Sequence, residues 1–124
     1  MGEGRIPDTE TPSTGELSVV PTSTDGIRVL TLAGEIDHDT GEALRKALDV
    51  SGIVRPRIVA DMRQVAFMDS SGINILIAAH QAVTAAGGWL RLAAPAPAVL
   101  RTLQIVGVDE IIDCRPTLRD ALSF

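Results

Sequence analysis

The sequence predicts a small α/β domain in which a mixed β-sheet of about four to five strands is flanked by helices. Hydrophobic residues make up 45% of the 124 residues and aromatic residues only 2%, so the core has to be aliphatic. Segments with strand-like patterns alternate with segments of helical periodicity, which indicates parallel pairing in part of the sheet. Two strand-like segments precede the first helix, and this predicts an initial hairpin that makes the sheet mixed.

Residues 1–15 combine Gly, Pro, Ser, Thr and acidic residues with a single aliphatic side chain, Ile6. This composition is typical of a disordered tail, so we expect one folded domain over residues 16–124. The domain begins with a short strand at 17–20, a turn at 21–26 and a second strand at 27–32, where β-branched residues are frequent.

The rest of the chain is predicted from helix caps, Gly and Pro positions and apolar periodicity. An acidic segment precedes a helix that should start near Asp39, with Glu42 as its capping-box partner. The later elements are a strand at 57–62, a connection at 63–69, a helix at 70–86, a strand at 89–92, a helix opened by Pro95 or Pro97, a strand at 110–112 and a helix at 117–123.

Charge and motif content exclude several functions. The net charge of −5 disfavours binding to nucleic acid and to anionic membranes, and no apolar run is long enough to span a bilayer. The two histidines and Cys114 have no zinc spacing, and no phosphate-binding glycine loop is present, so we expect no metal and no cofactor. The single cysteine fits a reducing compartment, and we expect a cytoplasmic protein.

The tetrapeptide Asp69-Ser70-Ser71-Gly72 lies where a helix should begin. Asp69 or Ser70 caps that helix, or Ser70 presents its hydroxyl at a helix start where an added phosphate is tolerated. A serine hydrolase is a third hypothesis, and it would require folding to bring His38 within hydrogen-bonding distance of a serine.

Helical periodicity places Ile75, Leu76, Ala79, Ala82, Val83 and Ala86 on the side that faces the sheet. The opposite side carries Ser70, Asn74, Ile77, Gln81 and Thr84, with Ile73 at its margin. Ile77 is therefore an apolar residue on a polar face. It is either an anchor for a partner protein or a residue covered by a neighbouring loop.

From about residue 16 onward, the chain resembles the STAS domain of bacterial anti-sigma factor antagonists. The resemblance is carried by LAGEIDHDT at 32–40, IVAD at 58–61 and FMDSSGI at 67–73, and by the order and spacing of segments 89–92 and 106–107. The tetrapeptide alone is a weak signal, and its specificity comes from the GEID sequence upstream.

The resemblance implies a regulatory switch and no enzymatic activity. Such a protein binds an anti-sigma factor that is also a serine kinase, and binding releases a sigma factor. The kinase phosphorylates the serine that aligns with Ser70, the modified antagonist dissociates, and a PP2C-type phosphatase restores it. Ser71 aligns with a Ser or Thr that is not the usual acceptor, and Asp37 aligns with an acid near the switch.

The expected partner-binding residues are those around this serine: Asp37, Asp69, Ser70, Ser71, Gly72, Ile73, Asn74 and Ile77. STAS domains also serve as non-phosphorylated scaffold subunits of transporters and lipid-trafficking complexes, which gives an alternative function for the same fold. From the charge and hydropathy of the chain, we expect no direct contact with nucleic acid and none with a membrane.

Overall fold

The structure is a computed structural model that describes residues 16–123, so the predicted tail at 1–15 lies outside the described residues. Five strands and four α-helices follow one another, with a short 3₁₀ turn before the last strand. Their bounds are β1 Leu17–Thr24, β2 Ile27–Ile36, α1 Gly41–Ala47, β3 Arg57–Met68, α2 Ser70–Ala85, β4 Trp89–Ala93, α3 Pro97–Ile105, the 3₁₀ turn Val108–Glu110, β5 Asp113–Arg115 and α4 Leu118–Ala121.

The strands form one mixed sheet in the order β1-β2-β3-β4-β5. β1 and β2 pair antiparallel, and the other neighbouring pairs are parallel. The predicted fold class is therefore confirmed. Because parallel strands share a direction, the carboxyl ends of β2, β3 and β4 meet at one end of the sheet and their amino ends at the other.

The hairpin turn is tighter than predicted. β1 continues through the predicted turn to Thr24, and only Asp25 and Gly26 connect it to β2. Both have positive φ angles, 52° and 81°, as a type I′ turn requires. Pro21 is tolerated inside β1 because this strand lies at the edge of the sheet, where a missing N–H leaves no partner unsatisfied.

β3 is twice as long as predicted, since the expected connection at 63–69 is strand up to Met68. The pairing of β2 with β3 continues through two register shifts, which a sequence pattern does not display. Near the first shift lies Asp61, whose buried carboxylate accepts hydrogen bonds from the Arg63 guanidinium at 2.7 Å and 3.0 Å. This forked pairing offsets the cost of burying the charge.

Two apolar clusters cover the faces of the sheet. The larger joins Leu30 and Ile58 of the central strands to α1, α2 and α3, and the smaller joins Val29 and Val59 to Ala121 of α4. Alternate residues of a strand point to opposite faces, which explains why Ile58 and Val59 belong to different clusters. The core is aliphatic, in agreement with the composition.

Helix α2 agrees with the sequence prediction to within one residue, but two other local predictions are wrong. α1 begins at Gly41, after Thr40, and Glu42 forms an exposed ion pair with Arg45 where a capping box was expected. The last strand was predicted at 110–112 but is Asp113–Arg115. Residues 110–112 instead belong to the 3₁₀ turn and the bend that follows it.

Candidate functional site

The candidate site lies at the carboxyl ends of the two central strands. Ile36 ends β2, Met68 ends β3, and the two residues are paired in register. The backbone N–H of Asp69 donates to the carbonyl oxygen of Ile36 at 3.0 Å. The sheet therefore brings together the two polar segments that the sequence analysis singled out, the loop that starts at Asp37 and the start of α2 at Ser70.

Asp69 is the residue that caps helix α2. Its carboxylate accepts hydrogen bonds from the backbone N–H groups of Ser71 at 2.8 Å and Gly72 at 3.4 Å. Ser70 is not the cap but the first helical residue, and it is exposed. Within residues 16–123 its hydroxyl makes no hydrogen bond. The sequence left open which residue caps the helix, and the geometry assigns that role to Asp69.

Gly72 allows α2 to approach the ends of both strands. A Cβ atom at this position would lie 2.5 Å from Cγ2 of Ile36 and 2.8 Å from Cγ of Met68. A larger residue would therefore push the first turn of the helix away from the sheet. Gly72 sets the position of Ser70 relative to the neighbouring loop, although it is itself buried.

The loop between β2 and α1 has its own network of hydrogen bonds. The Asp37 carboxylate accepts from the backbone N–H groups of Asp39 at 2.9 Å and Thr40 at 3.0 Å. The buried Thr40 hydroxyl accepts from the N–H of Asp37 at 2.9 Å and donates to the carbonyl oxygen of Glu35 at 2.8 Å. These bonds fix Asp37, which is half-buried, beside the start of α2.

The first turn of α1 also contacts α2, through Ile75 in the second turn of that helix. A Cβ atom at Gly41 would lie 2.8 Å from Cδ1 of Ile75, so the absence of a side chain there lets the two helices pack closely. The start of α1, the Asp37 loop and the start of α2 thus form one continuous surface, which we call the serine surface and define by Asp37, Asp69 and Ser70.

The other residues expected at the interface differ in accessibility. Asn74 is exposed and Ser71 is half-buried, whereas Ile73 is only 7% exposed. Ile77 is half-buried and packs against the larger core cluster, so part of its surface is used inside the domain. Ile73 therefore offers little area to a partner, and Ile77 offers one edge.

Phe67 is a residue of this region that sequence reasoning missed. It precedes Met68 at the end of β3, and its side chain is 49% exposed in a chain with two phenylalanines and one tryptophan. Exposed aromatic side chains are frequent anchors at protein interfaces. The available signal was an aromatic residue two positions before the capping aspartate, but the strand was expected to have ended earlier.

Neither a hydrogen-bonded serine–histidine pair nor a cluster of metal ligands is found among the described residues. No hydrogen bond joins His38 to Ser70 or Ser71 in the described chain, and His80 has a buried Nδ1 atom without a partner. Among residues 16–123, no three His, Cys, Asp or Glu side chains are arranged to hold a metal ion. None of the described helices combines the length and the apolar character needed to cross a membrane.

Cys114 lies away from the serine surface, on the edge strand β5. Burial raises the pKa of its thiol to about 11, and the carboxylates of Asp109 and Asp113 add to the effect. A thiol with this pKa is almost entirely protonated at neutral pH and is a poor nucleophile. Cys114 is half-buried and lies outside the serine surface.

The fold and the site define a small α/β domain whose candidate functional region is an exposed surface around one serine. The chain belongs to the STAS domain family, whose profile matches residues 18–121.

Similar proteins include several bacterial regulators. The chain is 30% identical over 90 residues to the anti-sigma F factor antagonist of Paenibacillus polymyxa, which covers 70% of this chain and 76% of that protein. It is 29% identical over 108 residues to the anti-sigma-F factor antagonist RsfB of Mycobacterium tuberculosis, covering 86% and 88%. A crystal structure of an anti-sigma factor antagonist from Mycobacterium paratuberculosis superposes with a TM-score of 0.75 at 30% identity, covering 92% and 96%.

Proposed function

We propose that this protein is an anti-sigma factor antagonist that binds an anti-sigma factor with serine kinase activity and thereby releases a sigma factor. Phosphorylation of Ser70 ends the interaction, and a PP2C-type phosphatase reverses the modification. The proposal places this cycle in the bacterial cytoplasm. The observation that carries it is the exposed Ser70 hydroxyl, which has no hydrogen bond within residues 16–123 although it lies at a helix start.

The fold can accept a phosphate at Ser70 without losing a contact. The hydroxyl makes no hydrogen bond in the described chain, and the Asp69 carboxylate already accepts from the N–H groups of Ser71 and Gly72. Esterification therefore breaks nothing inside the domain. The positive end of the helix dipole reduces the cost of the new charge.

The same geometry means that a phosphate on Ser70 weakens the binding of a partner to this surface. It adds about −1.5 to −2 charges next to the Asp69 carboxylate and close to Asp37. The N–H groups of Ser71 and Gly72 that would neutralise an anion already bind Asp69. A partner surface shaped for a neutral hydroxyl then faces a bulky, hydrated dianion, which opposes binding by repulsion and desolvation.

The partner contact combines polar and apolar groups on this surface. Asp37, Asn74 and Ser70 supply polar groups, and the accessible edge of Ile77 supplies apolar area. The exposed Phe67 at the end of β3 extends the contact beyond the helix start. A buried aromatic anchor surrounded by polar groups is the usual composition of an interface centre.

The proposal is tested by incubating the protein with the cognate anti-sigma factor and ATP and locating the modification by peptide mass spectrometry. We expect a single phosphate on the peptide that contains Ser70. Ser71→Ala should be modified like the wild type, and Ser70→Ala should remain unmodified while still forming the complex.

A chain that binds no anti-sigma factor and receives no phosphate would contradict the proposal. That result would favour the alternative in which the domain is a non-phosphorylated scaffold subunit of a transporter or lipid-trafficking complex. A phosphate on Ser71 alone would keep the switch but move its acceptor to the half-buried neighbour.

A further inference from the structure

Three arginines are among the residues that line a small pocket at the amino ends of the central strands, at the opposite end of the sheet from Ser70. Arg28 is in β2, Arg57 begins β3, and Arg55 lies in the loop before β3. The pocket has a volume of about 230 Å³. Its other lining residues are Gly26, Ile53, Val54, Pro56 and Ile58.

None of these three guanidinium groups forms an ion pair with a carboxylate of the described residues. Among the described residues, Arg57 donates a long hydrogen bond of 3.5 Å to the backbone carbonyl oxygen of Asp25. Elsewhere in the chain, Arg45, Arg63 and Arg115 each pair with an aspartate or glutamate. Three neighbouring arginines without carboxylate partners are unexpected in a protein of net charge −5.

The backbone holds two of these arginines in defined positions. Arg55 has a positive φ of 49°, which is uncommon for a residue with a side chain, and its N–H donates to the carbonyl oxygen of Ala86 at 3.1 Å. Gly26 makes room for Arg57, because a Cβ atom at Gly26 would lie 2.4 Å from its Nη2 atom. The hairpin turn thus constrains the position of Arg57, and the contact with the end of α2 constrains that of Arg55.

We infer that this pocket binds a phosphate group carried by a small molecule or by a lipid headgroup. Arginine is suited to this ligand because its planar guanidinium donates two parallel hydrogen bonds to phosphate oxygens. The pocket is independent of the proposed serine switch, since the length of β3 separates the two by roughly 35 Å at about 3.3 Å per residue.

Two exposed aliphatic residues bear on the source of the phosphate. Val54 is 80% exposed and Ile53 is 42% exposed, and both lie next to the arginines. Such residues would contact acyl chains if the phosphate belonged to a lipid headgroup, and they would have no role if it belonged to a soluble molecule.

The first experiment titrates the full chain with pyrophosphate and follows the arginine side-chain and backbone signals by NMR. We expect saturable shifts confined to the pocket, with affinity reduced about tenfold in Arg28→Gln, Arg55→Gln or Arg57→Gln. Arg101→Gln is the matched control, because this exposed arginine of α3 also lacks a carboxylate partner in the described chain.

The second experiment measures co-sedimentation of the chain with phosphatidylcholine vesicles that contain or lack phosphatidylglycerol. A lipid source predicts binding to the anionic vesicles that is lost in both Arg57→Gln and Val54→Ser. A soluble source predicts pyrophosphate binding alone, with Val54→Ser unchanged.

Absence of binding in both experiments would overturn the inference, as would equal weakening by Arg101→Gln and the pocket variants. Each variant is first checked for an unchanged unfolding transition, so that loss of binding is not loss of fold. Ser70→Ala should retain wild-type binding in either experiment, which separates this site from the proposed function.

Discussion

Helices α1 and α2 begin side by side at the same end of the sheet, but the hydroxyl groups of Thr40 and Ser70 at their starts have different surroundings. At each start an aspartate carboxylate, Asp37 or Asp69, accepts two backbone N–H groups. At α1 the Thr40 hydroxyl is buried and bonded on both sides. At α2 the Ser70 hydroxyl is exposed and makes no hydrogen bond in the described chain. Both starts have an aspartate acceptor, so the difference lies in whether the packed loop also binds the hydroxyl, as it does for Thr40.

The largest expected effect is on partner binding when charge is added at Ser70. We expect Ser70→Asp to weaken binding of the cognate anti-sigma factor a few hundred-fold, equivalent to about 3–4 kcal/mol, because the carboxylate would be desolvated beside Asp69. Titration calorimetry of the purified pair measures this change. The free energy of unfolding should change by no more than about 0.5 kcal/mol.

Ser70→Ala is the control, and it should bind like the wild type. Equal affinities of wild type and Ser70→Asp would show that the hydroxyl does not face the partner.

Replacement of Phe67 tests whether the interface extends beyond the helix start. We expect Phe67→Ala to weaken the same complex by about 2 kcal/mol, or roughly thirtyfold, because an exposed aromatic anchor would be lost. Ile105 is 77% exposed at the end of α3. Because α3 leads from the carboxyl end of β4 towards the amino end of β5, Ile105→Ala is a control at the far end of the sheet. Similar losses in the two variants would argue against a local interface.

Replacement of Thr40 by valine tests whether the bonded hydroxyl at the start of α1 stabilises the fold. We expect Thr40→Val to lower the free energy of unfolding by about 2 kcal/mol, because the Asp37 N–H and the Glu35 carbonyl would lose a buried partner. Urea denaturation gives this value directly. Ser70→Ala, which removes an exposed hydroxyl, should shift it by no more than about 0.5 kcal/mol. The comparison fails if both variants are equally destabilised.

Removal of the α2 cap should have a smaller effect on stability. We expect Asp69→Ala to cost about 1 kcal/mol and Asp69→Asn less, since an amide oxygen can still accept from the helix N–H groups. Thermal unfolding compares the two variants. In the phosphorylated protein the cost of Asp69→Ala should shrink, because the phosphate would gain access to the Ser71 and Gly72 amides. A cost unchanged by phosphorylation would indicate that the phosphate points away from the helix.

The smallest expected effect concerns Glu42 in the first turn of α1. Its hydrogen bond and ion pair with Arg45 lower the pKa of its carboxyl below the ordinary value of 4.5. A carboxyl whose folded-state pKa is lowered stabilises the fold above its unfolded pKa and loses that contribution as the pH falls through its folded pKa. Carbon-detected NMR titration should therefore give Glu42 a pKa below 4.5. Arg45→Gln should raise the pKa of Glu42 towards its ordinary value. If the pKa of Glu42 is the same in this variant and in the wild type, the ion pair does not form in solution.

Several features followed from the sequence because they depend on residues close together in the chain. The apolar stripe of α2 and the glycines after it located this helix to within one residue. The aliphatic composition predicted the core, and the alternation of elements predicted a mixed sheet. The Asp69-Ser70-Ser71-Gly72 segment was recognised as a helix start, which is a local property of capping residues.

Other features depended on contacts between distant segments. β3 extends to Met68 because β2 supplies hydrogen-bond partners through two register shifts. Thr40 and Ser70 both carry a hydroxyl near a helix start. The Thr40 hydroxyl is buried because its loop folds back onto the Glu35 carbonyl oxygen, whereas Ser70 is exposed.

The sequence by itself determined which elements form, since propensities, periodicity and capping act over a few residues. The tertiary structure decided which segments become neighbours: the Asp37 loop and the start of α2 at one end of the sheet, and the segments that carry Arg28 and Arg57 at the other. The physical reason is that parallel strands align their ends in space whatever the length of chain between them. Neighbours at the ends of a parallel sheet are therefore set by strand order and register, which are not encoded in any short segment.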